Sequence, residues 1–259
     1  VGEAPKVSVS GDGSTVAAGS WTYPYRLFLF DKGGNQLWPA PYSDQASQYN
    51  AVAVSSDGSY IVAGSDNNKV HFFSRTSNSP LWIYPTRNRV DSVSISANGL
   101  ISAAGTGYDV DLFSTSGLVS SSNLQYCCVN SVRLTSDGAY LAASSGTRVF
   151  FASISNNNPS WYNYDTGRPV SSTAISGGGG YIAAGTDQSV YLIYGTGVGP
   201  ARDFQLSLDP SSLSIEKPSS GTRDSSTTVT IKSLYGFSST INLRADWTGQ
   251  VPEGVTWSF

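Results

Sequence analysis

One short pattern occurs five times along the chain, and it constrains the fold more than any other feature. A small apolar strand runs into a turn, and a second small apolar strand follows at once. The five copies read VSVSGDGSTVAAGS from Val7, VAVSSDGSYIVAGS from Val52, VSISANGLISAAGT from Val93, VRLTSDGAYLAASS from Val132 and TAISGGGGYIAAGT from Thr173. Their turn glycines lie 45, 41, 39 and 41 residues apart, at Gly13, Gly58, Gly99, Gly138 and Gly179. Most of the 259 residues therefore belong to one repeated unit.

Each repeat contains stretches with the alternation typical of β-strands, here called a to d. Strand a ends at a turn such as Asp57-Gly58, strand b is small and apolar, and strand c is rich in aromatic residues. Strand d carries a tryptophan 25, 24 or 23 residues after the turn glycine, at Trp38, Trp82 and Trp161, and we expect these to share one structural position. One such unit cannot cover its own faces. A period of about 40 residues predicts a β-propeller, whose blades pack face to face around an axis.

The pattern VxVSxDGxYIAAGSxDxxVYLF resembles the WD40-like and quinoprotein-like propeller repeats of archaeal and bacterial surface proteins. The resemblance covers roughly residues 1–195. The WD40 signature is incomplete, because the chain has neither a Gly-His pair nor a Trp-Asp pair that closes strand c. The resemblance implies a propeller but no particular activity, since propellers support many functions.

From Ala201 the sequence changes character, with predicted strands at Phe204–Leu208, Thr227–Ser233, Thr240–Ala245 and Val255–Phe259. The pieces PSSLSI, TVTIKSLYGFSSTINL and PEGVTWSF resemble the immunoglobulin-like repeats of archaeal and bacterial surface proteins. Such a domain has about 7 strands in roughly 100 residues, so this one is incomplete. The sequence therefore predicts an all-β chain: a five-unit β-propeller at residues 1–200 and a partial immunoglobulin-like β-sandwich domain at 201–259.

The composition excludes several classes of partner. The formal net charge is −3 and no run of Lys or Arg occurs, so nothing favours nucleic acid or an anionic membrane. No apolar run approaches the roughly 20 residues of a membrane helix. Charged residues make up only 13%, Ser, Thr and Asn are abundant, and the chain begins at Val1 and contains no methionine. These features favour a secreted or cell-surface protein, so we expect an extracellular location.

No catalytic constellation is recognisable in the sequence. The single histidine, His71, lies in strand c between Val70 and Phe72, where a lone histidine is usually structural or exposed to solvent. The GGGG segment at 177–180 aligns with the a-to-b turn of the other repeats, so it serves the turn and does not cradle a phosphate. We therefore predict that the protein is not an enzyme, and that it has no catalytic, cofactor-binding or metal-binding residues and no cofactor.

Cys127 and Cys128 are the one feature that supports an enzymatic alternative. Adjacent cysteines form a vicinal disulfide or remain two thiols, and the sequence leaves both open. In quinoprotein alcohol dehydrogenases of the propeller class a vicinal disulfide stacks on the quinone ring. This resemblance implies, as the alternative, an oxidoreductase that depends on PQQ and calcium. That family has more repeats, however, and we can place neither its acidic base nor its calcium ligands here.

The b-to-c turns and the d-to-a connections should share one end of the propeller. Exposed Tyr, Trp and Arg side chains there would favour recognition of a protein or a sugar, because they combine rigid area with directional donors. Ordinary loop composition in a tyrosine-rich chain is the alternative interpretation. The candidate recognition residues are Trp21, Tyr23, Tyr25, Tyr42, Tyr49, Arg87, Arg89, Tyr108, Tyr126, Arg148 and Arg168.

The two modules suggest a role in assembly, because the fifth repeat lacks a strand d after Tyr194 and the tail resembles half a domain. We expect a structural or adhesion protein that associates with itself or with another surface protein, and a glycan is a further candidate ligand. Subunits could complete each other by strand addition, giving a filament or a surface layer. A sequence that simply stops early is the alternative. A soluble propeller scaffold that binds a protein or a glycan is another hypothesis.

Overall fold

The computed structural model describes residues 6–44, 47–194, 203–209 and 228–234. The chain divides into two compact units, Val1–Ala201 and Arg202–Phe259. The first unit is built from antiparallel sheets, each formed by strands that follow one another in sequence. Three of its sheets have four strands and two have three, an all-β arrangement consistent with a β-propeller.

Each sheet corresponds to one sequence repeat, and we call it a blade. Blade 1 contains β1 (Lys6–Val9), β2 (Thr15–Gly19) and β3 (Leu27–Asp31). Blade 2 contains β4 (Tyr49–Val54), β5 (Tyr60–Ser65), β6 (Lys69–Ser74) and β7 (Trp82–Pro85). Blade 3 contains β8 (Ser92–Ile95), β9 (Ile101–Gly105), β10 (Asp109–Ser114) and β11 (Gly117–Asn123). Blade 4 contains β12 (Val129–Leu134), β13 (Tyr140–Ser145), β14 (Arg148–Ser155) and β15 (Asn158–Asp165). Blade 5 contains β16 (Val170–Ile175), β17 (Tyr181–Thr186) and β18 (Val190–Tyr194).

The a-to-b turns form through one recurring set of hydrogen bonds. In blade 2 the Ser55 hydroxyl donates to Asp57 Oδ1 at 2.6 Å and accepts the N–H of Tyr60 at 3.0 Å. Gly58 follows with a φ of 71°, in the left-handed region that glycine adopts without steric cost. Thr135 and Asp137 make the same pair of bonds in blade 4. The Ser/Thr-x-Asp-Gly pattern therefore fixes the sharp return that lets two short strands pair.

The core lies in the joints between blades, where both faces of each sheet are covered. Strand b is buried along its length in blade 2, and its alternate residues face different neighbours: Ile61 and Ala63 face blade 1, and Val62 faces blade 3. Small side chains at these positions let adjacent sheets approach closely. The inner strands β1, β4, β8, β12 and β16 pack on one another in that order. This explains why the repeat carries small apolar residues in strands a and b.

The tryptophans of strand d do not all occupy one structural position, so that prediction is wrong for Trp161. Trp82 pairs across the strands with Phe72, faces blade 3, and donates from Nε1 to the Thr115 carbonyl at 3.1 Å. Trp38 makes the corresponding bond to the Arg75 carbonyl of blade 2 at 3.0 Å. Trp161 instead pairs with Ala152 and faces back towards blade 3. The reversal follows from the register of β15, because a shift of one residue moves a side chain to the opposite face.

The second unit contains a two-stranded antiparallel hairpin in its described part, β19 (Asp203–Asp209) and β20 (Thr228–Leu234). Two strands predicted in the tail, Phe204–Leu208 and Thr227–Ser233, are thus present within one residue of their predicted bounds. The other two, at Thr240–Ala245 and Val255–Phe259, lie outside the described residues, as does most of the predicted immunoglobulin-like domain. Within the described ranges no helix has the length and apolar character needed to cross a membrane.

Candidate recognition surface

The b-to-c turns and the d-to-a connections meet at one end of the first unit, because backbone hydrogen bonds join them. Thr86 donates to the Asn68 carbonyl at 2.9 Å and Thr166 donates to the Thr147 carbonyl at 2.9 Å. Between blades, the Val129 N–H reaches the Thr106 carbonyl at 3.1 Å. We call this end the loop face; it consists of residues 20–26, 42–44, 47–49, 66–69, 86–91, 106–109, 123–129, 146–148, 165–170 and 186–189. The strands hold the loops that connect them in place. The backbone from which the loop-face side chains project is therefore fixed.

Most of the aromatic candidates are available to solvent on the loop face. Trp21, Tyr23, Tyr108 and Tyr126 are exposed. Tyr25 and Tyr42 are half-buried, and the Tyr25 ring meets the Tyr23 ring edge-on at 6.1 Å. The segment that carries Trp21, Tyr23 and Tyr25 is closed by the N–H of residue 26, which donates to Ser20 Oγ at 2.6 Å. These rings offer large apolar area with polar edges at one end of the first unit.

Tyr49 does not belong to this exposed set, so its place among the recognition residues is wrong. It is fully buried in the core between blades 1 and 2, and its ring packs against His71 with the centroids 5.9 Å apart. Burial raises the pKa of its phenol, and the nearby Asp44 carboxylate raises it further. Tyr49 begins β4, where the alternation of the strand points its side chain into the joint.

Each arginine candidate on the loop face lies beside an aspartate. The Arg89 Nε lies 2.9 Å from Asp91 Oδ1, and the Arg148 Nη2 lies 3.1 Å from Asp165 Oδ2. The longer pairs are Arg168 with Asp187 at 3.4 Å and Arg87 with Asp109 at 4.0 Å. The guanidinium of Arg148 also lies 4.7 Å from the centre of the Tyr126 ring. Each of these four guanidinium groups therefore has a carboxylate within 4.0 Å, although the Asp109 carboxylate is buried.

Hydrogen bonds lower the pKa of Asp165 and keep its carboxylate ionised. The backbone N–H of Gly167 has the largest effect, followed by the Thr147 hydroxyl, and Arg148 adds a smaller contribution. The three donors fix the carboxylate on the connection between blades 4 and 5. The carboxylate in turn orients the Arg148 guanidinium, which donates to Asn163 Oδ1 at 2.6 Å.

Two groups of buried polar side chains lie beneath the loop face, and the sequence analysis did not find their aspartates. Asp44 Oδ2 lies 3.4 Å from His71 Nε2, accepts a hydrogen bond from Asn67 at 3.0 Å and lies 3.6 Å from the Lys69 ammonium. His71 is fully buried beside this carboxylate.

Asp109 and Asp111 form the second group, on alternate positions of β10. Both are buried, and Asn123 Nδ2 donates to Asp109 Oδ1 at 2.8 Å. Burial raises the pKa of Asp111, and the Ser121 hydroxyl partly offsets that rise by donating to the carboxylate. The signal in the sequence is the DVDLF segment, where charged residues alternate with apolar ones and Asp111 stands at a position that is aromatic in Phe28, Phe150 and Tyr191.

Cys127 and Cys128 form a disulfide on the exposed connection between blades 3 and 4. The Cys128 N–H donates to the Gly107 carbonyl at 2.5 Å and fastens this connection to the b-to-c turn of blade 3. Its near neighbours include Tyr126, whose ring meets the Arg148 guanidinium. Across the described ranges, no three His, Cys, Asp or Glu side chains converge as metal ligands.

A cavity of about 420 Å³ lies between the inner strands β1, β4, β8 and β12. Its charged lining residues are Lys6, Asp91 and Arg133, accompanied by the amides of Asn50 and Asn130. The Arg133 Nη1 donates to the Val132 carbonyl at 2.7 Å, so the guanidinium is hydrogen-bonded to the backbone of β12, the strand that carries it. Asp91 is the single carboxylate of the described lining, which does not supply the carboxylate pair of a glycoside hydrolase.

Comparison with known proteins supports the repeat assignment in one blade. Residues 42–74, which include β4, β5 and β6, match the family model described as WD domain, G-beta repeat. No curated protein matches the chain significantly. The match covers one repeat, so what it supports is the WD40-like character of the propeller repeats.

Proposed function

We propose that the chain is a non-enzymatic binding scaffold whose loop face recognises a protein partner. The observation that carries this proposal is the presence of exposed Trp21, Tyr23, Tyr108 and Tyr126 on loops that hydrogen bonds hold to packed blades. Tryptophan, tyrosine and arginine supply most of the strong contacts in protein interfaces. Loops on a rigid scaffold lose little conformational entropy on binding, because they are ordered beforehand.

The arginine–aspartate pairs determine the kind of recognition that we expect. Each of the four candidate arginines, Arg87, Arg89, Arg148 and Arg168, is balanced by an aspartate within 4.0 Å, so their long-range attraction contributes little. Partner binding should then depend on the apolar area of the rings and on hydrogen bonds to the guanidinium groups. Such binding is weakly sensitive to salt, unlike binding steered by a patch of one charge.

The proposal places this scaffold outside the cell, in a structural or adhesive role. The low proportion of charged residues, the abundance of Ser, Thr and Asn, and the disulfide between Cys127 and Cys128 support that placement. The β19–β20 hairpin supports the further proposal that the second unit is an immunoglobulin-like module of a surface protein. Partners would then be other surface proteins.

The test is selection of binding peptides from a displayed random 12-residue library, with the immobilised full chain as bait. We expect peptides that bind the wild type and lose at least about tenfold in affinity on the variant Trp21→Ala/Tyr23→Ala/Tyr126→Ala. The matched control is Leu81→Ala/Leu100→Ala, which removes exposed apolar side chains from the turns at the opposite end. The control should bind as the wild type does, and 500 mM salt should change the affinity less than about threefold.

A glycan array probed with the same three proteins distinguishes the class of ligand. Binding of a glycan that depends on the loop face, without any selected peptide, would replace protein by carbohydrate as the ligand. If neither probe distinguishes the loop-face variant from the wild type, the proposal is wrong.

A further inference from the structure

The two cysteines of the chain lie in the connection between blades 3 and 4, in a segment that runs from the end of β11 to the start of β12. We call residues 123–129 the cysteine segment. Cys127 and Cys128 form a disulfide, and both residues are exposed, so a dissolved thiol can reach their sulfur atoms. The sequence contains no other cysteine, and this pair is therefore its only thiol–disulfide couple.

Buried residues anchor both ends of the cysteine segment. Leu124 is buried, and its N–H donates to the Tyr108 carbonyl at 2.9 Å. Val129 is fully buried, and its N–H donates to the Thr106 carbonyl at 3.1 Å. A change in the backbone at the disulfide is therefore confined to residues 125–128, and the strands on either side can stay in place.

Between these anchors the backbone adopts a conformation that the disulfide helps to maintain. Cys128 has a φ of 72°, in the left-handed region that residues with a side chain rarely adopt. The disulfide closes a small ring through the peptide bond between Cys127 and Cys128, which restricts rotation of the backbone on both sides of that bond. A second restraint is the hydrogen bond from the Cys128 N–H to the Gly107 carbonyl. One such bond stabilises about as much as the left-handed conformation costs, so without the disulfide neither conformation is strongly favoured.

The residue that this conformation positions is Tyr126, next to the disulfide. Its carbonyl accepts a hydrogen bond from the Ser145 hydroxyl, and the centre of its ring lies 4.7 Å from the guanidinium carbon of Arg148. The ring also packs against Phe150, with the centroids 5.9 Å apart. These three contacts are all with blade 4. Rotation of the backbone at the disulfide would therefore move Tyr126 relative to blade 4.

We propose that this disulfide is a redox switch: a dithiol reduces it, the backbone of residues 125–128 rearranges, and Tyr126 changes its position on the loop face. One thiolate of the dithiol attacks a cysteine sulfur, the S–S bond breaks, and a mixed disulfide forms while the released cysteine sulfur takes up a proton. The second thiol of the reductant then displaces the other cysteine and closes the reductant's own disulfide. The dithiol thus loses two electrons and two protons, and the two cysteines gain them.

Reduction would alter one exposed aromatic residue of the loop face without unfolding a blade. In an oxidising compartment the disulfide is the resting state, and a dithiol, either a small molecule or a protein, is the signal that opens it. The switch does not depend on what the loop face binds, so the proposed function and the switch can each fail without the other.

Hydrogen exchange of the full chain, followed by mass spectrometry, tests the switch with and without about 1 mM dithiothreitol, which is a dithiol. We expect alkylation to find both cysteines as free thiols after reduction and neither before it. Peptides that cover residues 124–128 should exchange at least about fivefold faster after reduction, because the Cys128 N–H loses its acceptor. Peptides from β9 and β13, in the blades on either side, should be unchanged, and oxidised glutathione should restore the slow exchange.

The matched variant is Cys127→Ser/Cys128→Ser, which cannot form the disulfide and nearly preserves the size of both side chains. It should exchange at the fast rate under both conditions, and its melting temperature should match that of the reduced wild type. A further effect of dithiothreitol on this variant would overturn the proposal.

The proposal is also wrong if the untreated wild type carries free thiols, if the disulfide resists about 10 mM dithiothreitol, or if reduction leaves the exchange of the cysteine segment unchanged. Faster exchange throughout blades 3 and 4 would overturn it too, because the disulfide would then stabilise the whole fold and not switch one segment.

Discussion

Two equivalent residues show how the repeat accommodates polar groups in its core. His71 and Asp111 occupy the third position of strand c, where the other blades have Phe28, Phe150 and Tyr191. His71 has the Asp44 carboxylate beside it, and Asp111 has the Ser121 hydroxyl. A buried ionised carboxylate still loses the solvation that water provided, and this loss disfavours its charged form.

Asp111→Asn should therefore stabilise the protein at pH 7. Burial raises the pKa of Asp111 in the folded state above its ordinary value of 3.8. The stability that the protonated carboxyl contributes is full below that ordinary value and is lost as the pH rises through the folded pKa. Asparagine keeps an oxygen that can accept the hydrogen bond from the Ser121 hydroxyl, and it cannot ionise. The variant therefore does not lose stability as the pH rises. Urea unfolding should show a higher midpoint for the variant at pH 7, and the difference should shrink towards pH 3.5.

Asp137→Asn provides a control of opposite sign. The Thr135 hydroxyl is the main cause that lowers the pKa of Asp137, so its ionised form contributes stability above the ordinary pKa and loses it as the pH falls. This variant should be less stable than the wild type at pH 7, by a small amount because the group is largely solvated. If both substitutions shift the midpoint in the same direction, the assignment of the charge penalty to Asp111 is wrong.

Strand d shows where the repeat pattern stops predicting structure. In blade 4 the strands β14 and β15 are joined by Asn156 and Asn157, both with positive φ, and this two-residue turn fixes the register that pairs Ala152 with Trp161. In blade 2 the connection runs over residues 75–81, and Trp82 pairs with Phe72. A difference of one residue in spacing was visible in the sequence. Only the turn type, however, shows that this difference places the Trp161 side chain on the opposite face of its sheet.

Substitution of Trp82 and Trp161 by phenylalanine distinguishes the contribution of the indole hydrogen bond to stability from that of the aromatic ring. Trp82→Phe removes the donor of the 3.1 Å bond to the Thr115 carbonyl, whereas no described atom accepts a hydrogen bond from Nε1 of Trp161. Both changes remove similar apolar area. We expect Trp82→Phe to lower the free energy of unfolding by about 1 kcal/mol more than Trp161→Phe does. Urea unfolding followed by circular dichroism measures the difference, and equal losses would show that the bond contributes nothing.

The same distinction between local and tertiary information applies to the loop face. The repeat alignment placed the turns and connections, so it could predict where Trp21, Tyr23, Tyr108 and Tyr126 lie. It could not predict that Tyr49 is buried, because that depends on which face of β4 meets blade 1. Three of the arginine–aspartate pairs were equally inaccessible, because they join residues of different strands and connections that meet only in the folded sheets. The fourth pair, Arg89 with Asp91, lies within one connection.

At the scale of the whole molecule, stability should vary along the repeats. Among the described residues, blades 2, 3 and 4 each pack against two neighbouring blades, whereas Val7 of blade 1 and Val190 and Leu192 of blade 5 are exposed. A repeat protein is stabilised by its nearest neighbours, so a blade with one joint opens more readily than one with two. This expectation concerns the five blades of the first unit and not the second unit.

Hydrogen exchange followed by mass spectrometry should resolve this gradient. Peptides from β5, β6, β9 and β10 should exchange slowest, and peptides from β1, β17 and β18 should exchange at least about tenfold faster. Equal protection in all five blades would mean that the unit opens only as a whole.

The repeated joint also bears on how such a chain can change over generations. The joints that connect blades 1 to 4 all place a valine of one inner strand over a strand b glycine of the preceding blade, whereas Ser144 and Thr173 stand at those positions between blades 4 and 5. Duplication or loss of one of the first four blades in the gene would therefore leave the glycine–valine contacts matched, without compensating substitutions elsewhere. The number of blades can therefore change from one generation to another while the contacts between adjacent blades stay the same.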